Sequence, residues 1–83
     1  MIGTRSDNAR EKRGMVLGCM TILQRSGMTK EEALPVYQKL LEYHGLTAES
    51  MNKDLAGALA CLPTAEVARA HLFEVCPELQ GEI

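Results

Sequence analysis

The stretch from Thr47 to Leu62 constrains this chain most, because its start, its stop and both of its faces read as one helix. At about 100° per residue, Met51, Leu55, Leu59 and Leu62 fall in one narrow stripe. Ala56, Gly57, Ala60 and Cys61 lie opposite, with almost no side chain. The spacing predicts that the large residues are buried and that the smooth side is open to close approach by something else. Pro63 ends the segment, since it has no backbone N–H to continue a helix.

The same punctuation organises the rest. Thr4 or Asp7 is a suitable cap for a first helix over residues 7–26, whose apolar residues Met15, Val16, Leu17, Cys19, Met20, Ile22 and Leu23 cover an arc of about 220°, far wider than the ~100° of a surface helix. This helix must be covered on more than one side. Gly14 and Gly18 interrupt it, at about 1 kcal/mol each relative to alanine, and their spacing suits close backbone packing. Gly27 then fits a left-handed helix stop, Met28 the apolar contact beyond it, and Thr29 with Glu32 a capping box. The grammar recurs at Gly45, Leu46 and Thr47.

Between these turns a second helix spans 30–44, with Val36, Tyr37, Leu40, Leu41, Tyr43 and His44 on one face and Gln38, Lys39 and Glu42 on the other. Pro35 predicts a kink or a split there. Thr64 caps a fourth helix to about Val75, with Ala65, Val67, Ala68, His71, Leu72 and Val75 inward and Phe73 turned away. Residues 1–6 read as a flexible leader and 77–83 as a tail. The expected fold is all-α, a compact bundle of four short helices in one domain over 1–83.

Valine, isoleucine, threonine and aromatic residues are too few and scattered for strands, with one Phe, two Tyr and no Trp in 83 residues. A domain of this size has a small core, so help from a second copy is expected. No window reaches the roughly 18 apolar residues of a membrane span, and no secretory signal opens the chain. It reads as soluble and cytoplasmic, with no membrane partner. Three cysteines, an odd number, do not make a closed disulfide framework, which fits a reducing compartment, although a Cys61 to Cys76 bridge stays open for a chain exported with its signal already removed.

The formal charge is -2 and unevenly laid out. Arg5, Arg10, Lys12, Arg13, Arg25 and Lys30 make the front basic, while the acids dominate from Glu31 onward. A helix bearing Arg10, Lys12 and Arg13 could lie against phosphates, and the last two helices are spaced like a helix-turn-helix. The would-be recognition helix, however, presents Glu66, Arg69, Phe73 and Glu74, nearly neutral and short of groups for base edges.

Phosphate-binding, dinucleotide, zinc-protease and nucleophile-elbow motifs are all absent. Cys61, His71 and Cys76 are the best metal candidates but lack the paired spacing of zinc sites, so neither a metal nor a cofactor is expected. The sequence therefore favours a non-catalytic regulator, adaptor or inhibitor that binds another protein through an apolar helical surface with an acidic surround. Phe73, Gly57, Cys61, Ala56 and Ala60 are the expected contacts. A homodimer is expected through Gly14, Gly18, Val16 and Met20. The alternative is a small dimeric DNA-binding transcriptional regulator using Arg10, Lys12 and Arg13.

Overall fold

Local turn chemistry sets the element boundaries. In the computed structural model, which describes residues 2–83 and their side chains from Asn8 onward, helix α1 runs Ile2–Arg25, α2 Lys30–His44, α3 Leu55–Ala60 and α4 Ala65–Val75. Single 3-10 turns occupy Ser50–Asn52 and Pro77–Leu79, and no strand occurs among the described residues. α1 begins at Ile2, ahead of the start expected at 7, so residues 2–6 are helical rather than a leader, while the side chains of the expected caps Thr4 and Asp7 lie outside those described.

Both helix stops close in the same way. Met28 N–H donates to the Leu23 carbonyl at 3.2 Å and Gly27 N–H to Gln24 at 3.1 Å, with Gly27 at φ 89. Leu46 and Gly45 repeat this to Leu41 and Glu42, at 2.8 and 3.2 Å, with Gly45 at φ 69. These are paired six-to-one and five-to-two closures, which glycine permits because it has no Cβ to clash in the left-handed region. Met28 and Leu46 then pack against the core. The start of α2 is the expected capping box: Thr29 N–H donates to Glu32 Oε1 at 2.9 Å and Glu32 N–H to Thr29 Oγ1 at 3.2 Å.

α2 is one helix through Pro35 rather than two pieces. The proline deprives the Glu31 carbonyl of its donor, but both residues are exposed, so solvent can reach the freed group.

The segment 47–62 is not one helix. Thr47 and Ser50 cap one another reciprocally, at 3.0 and 3.1 Å, and one 3-10 turn follows. Lys53 is then extended, and Asp54 sits in the left-handed region at φ 47 and ψ 52. Aspartate tolerates that conformation, and its carboxylate accepts from Gly57 N–H at 3.3 Å to start α3 afresh. The break rotates everything after it: Met51 enters the core, while Leu55, Leu59 and Leu62 are between 46% and 50% exposed.

The core is built around α1, which packs on α2, α3 and α4. Val16, Cys19 and Leu23 from α1, Leu40 from α2, and Leu72 and Cys76 at the end of the chain are fully buried. The wide apolar arc of α1 is thus covered on several sides within one chain. Leu79, in the last 3-10 turn, docks the tail. No helix among the described residues is long and apolar enough to cross a membrane.

Candidate docking surface

Three of the residues expected to meet a second copy, Gly14, Val16 and Gly18, are buried inside the molecule, and the expected core stripe of α3 faces out. Leu55 and Leu59 are one helical turn apart, and Leu62 follows just past the helix end; all three are about half exposed. Val67, placed inward on α4 by its sequence, is 50% exposed, and Ala65 is exposed as well. Three half-exposed leucines on one short segment leave apolar area against water, at roughly 25 cal/mol per Å². Such area makes the stripe a candidate docking surface.

The reason lies on the opposite face. Ala58 is fully buried, and the backbone of α3 comes so close to α1 that a Cβ on Gly14 would stand 2.6 Å from the Cys61 carbonyl oxygen and 2.8 Å from that of Ala58. On Gly18 it would meet the Pro63 ring at 2.9 Å. Leucines on that side would hold the two helices apart, so the small residues turn inward and the large ones outward.

This corrects two expectations. Gly14, Gly18 and Val16 are buried within one chain, against α3, Pro63 and the core. Gly18 borders a hollow shared with Thr21, Leu62 and Pro63, and Met20 reaches another, an almost wholly apolar one lined with Ala33, Leu34 and Tyr37 and edged by Lys30. Of the expected partner contacts, Gly57 is half-buried with its backbone N–H on Asp54, and Cys61 is half-buried with its carbonyl against Gly14. Ala56 and Ala60 are exposed but small, flanking the leucines. Phe73 is partly buried against the core instead of pointing away from it.

The basic front of α1 is internally engaged. Arg10 Nε donates to Asp54 Oδ2 at 2.7 Å, and Arg13 Nη2 lies 4.0 Å from the same oxygen. Arg13 is only 9% exposed, and its Nε has no partner. Of the three cations proposed for phosphate contact, two are therefore drawn to one carboxylate, and Lys12 is left to solvent. A phosphate would have to displace Asp54, which also caps α3.

Histidines and cysteines take unexpected positions. His44 and His71 meet across α2 and α4 with their Nε2 atoms 2.9 Å apart. His44 is held below its ordinary value by burial, and further by His71 and Lys12. The three cysteines are unpaired. Cys19 donates to the Ala68 carbonyl at 3.4 Å, and burial, with the neighbouring Cys76, pushes its thiol up to about 12. Cys61, His71 and Cys76 do not gather into a three-donor cluster, and no other such cluster of His, Cys, Asp and Glu forms among the described residues. The histidine contact was not legible in the sequence, since its two members are 27 residues apart on helices whose relative phase is set by packing.

Comparison with family models, with curated proteins and with solved structures returns no match.

Proposed function

We propose that the chain is a non-catalytic protein-binding module, a regulator, adaptor or inhibitor, which docks through Leu55, Leu59 and Leu62 with Val67 beside them. The observation that carries this reading is the outward leucine stripe of α3, whose back is held against Gly14 so that it cannot turn inward. The reading keeps the apolar helical surface expected from the sequence and moves it to the opposite face of α3. Leucines at one-turn spacing suit a partner that lays its own apolar side chains along them. Glu66, near the stripe in sequence, and the acidic balance beyond Glu31 fit a basic surround on the partner, which would raise the rate of encounter more than the affinity. A second copy of the chain is one such surface, and a cytoplasmic setting fits the odd cysteine count.

Solution molar mass by light scattering, at low and high salt, tests the self-associating form. The expected result is a mass above the 9.1 kDa of one chain, resistant to salt and reduced to that of one chain by Leu59→Glu with no loss of helicity. If native protein is a clean monomer, the stripe is free for a different protein, and capture must then be abolished by the same substitution. Retained binding by folded Leu59→Glu would remove the stripe from the function.

A further inference from the structure

The last turn of α2 and the middle of α4 are joined by two imidazole rings. His44 Nε2 and His71 Nε2 stand 2.9 Å apart, a hydrogen-bond distance that requires one nitrogen to carry a proton and the other to offer its lone pair. Glu74 Oε1 lies 3.4 Å from His71 Nδ1 and favours the proton on that side of the ring. The Nε2 of His71 is then the acceptor and that of His44 the donor. This arrangement accommodates two neutral rings, or one ring charged. It cannot accommodate two imidazolium ions, because both Nε2 atoms would then carry hydrogens aimed at each other.

The contact lies on a seam with few other polar ties. Lys39 Nζ on α2 donates to Glu78 Oε2 in the last 3-10 turn at 2.9 Å, so the segment beyond α4 also lies against α2. Tyr43 stands edge-on to both rings, with centroids at 5.0 and 5.2 Å, and with Val75 lines a hollow along the seam. The charged groups around the pair are Lys12 and Glu11 from α1, where Glu11 lines the hollow beside His44, Glu42 from α2 and Glu74 from α4. Lys12 opposes a charge on His44.

We propose that His44 and His71 form an acid-opened latch between α2 and α4, closed while the pair holds at most one extra proton and released by the second. Opening separates the end of α2 from the second half of α4 and uncovers Val75. The direction is fixed by linkage. Burial lowers His44 in the folded chain, so the contact contributes fully above the ordinary histidine value of 6.5 and is lost as pH falls through the lowered folded value.

An NMR titration of both imidazole rings in the native protein, from roughly pH 8 to 4.5, follows the latch directly. Two protonation steps separated by about one pH unit or more are expected. The second should coincide with loss of cross-peaks between α2 and α4. Thermal melting should fall by roughly 5 °C or more over the same range. His44→Gln retains an amide N–H donor for His71 but has no proton to gain, and its melting should lose the corresponding pH dependence. The proposal is overturned if the rings titrate independently near the ordinary value with the α2–α4 cross-peaks intact. It is equally overturned if folded His44→Gln shows the native acid profile. Because the ring titration uses the native chain, a variant that fails to fold does not rescue the idea.

Discussion

The α-carbon of Gly14 faces the carbonyl oxygen of Cys61 with no room for a methyl group, since a Cβ there would stand 2.6 Å from that oxygen. Three of the nearest atoms are backbone, from Cys61 and Ala58, and backbone yields less than a flexible side chain. This one approach sets α3 against α1, and with it the direction in which the leucines point.

Gly14→Ala therefore sets two effects against each other. Alanine gains about 1 kcal/mol of helix propensity, but overpacking costs about 1–3 kcal/mol. With backbone on the far side the second should win, for a net loss of up to about 2 kcal/mol. Thermal melting should fall by several degrees, at roughly 4–8 °C per kcal/mol for a domain of this size. A stabilised Gly14→Ala protein would show that α3 is free to move away.

Asp54 joins a cap, a left-handed backbone and an ion pair, and two substitutions separate them. Asparagine keeps the cap and tolerates positive φ, so Asp54→Asn removes mainly the half-exposed Arg10 pair and should cost no more than about 1 kcal/mol. Asp54→Ala loses the same charge and, in addition, the cap, and it strains the backbone. Urea unfolding should show a loss of about 2–3 kcal/mol. Equal losses in the two variants would mean that charge, not capping, starts α3.

Leu59 and Leu72 should respond oppositely to truncation. Leu72 is fully buried, so Leu72→Ala should lose about 2–5 kcal/mol. Leu59→Ser should lose under about 1 kcal/mol, because half of that side chain already meets water. Chemical denaturation of both variants measures the contrast, and a costly Leu59→Ser would place that residue in the core.

Thiol labelling should report one accessible cysteine in the folded chain. Cys19 and Cys76 are fully buried, and burial raises both thiols, Cys19 to about 12. Cys61 is half-buried. With a thiolate-specific reagent at neutral pH, one equivalent should react quickly and the other two only with unfolding. Rapid reaction of all three would contradict the packing around Leu72.

The sequence by itself determined the helical class and the joints between α1 and α2, after α2 and before α4. Gly27, Gly45, Thr29 with Glu32, and Thr64 act within about five residues of themselves, so their chemistry is complete in the local chain. It also indicated that α1 must be covered on several sides. Tertiary structure decided which faces did the covering. The helix expected through 47–62 breaks at Lys53 and Asp54, where the carboxylate that caps α3 is paired with Arg10, 44 positions away. Periodicity identified the leucine stripe and the smooth stripe but not which one turns inward. That choice depended on Gly14 and Gly18, whose missing side chains admit a backbone or a proline ring and leave no space for leucine. The meeting of His44 with His71 is likewise a product of packing, since it joins residues 27 positions apart on two helices brought together in one register.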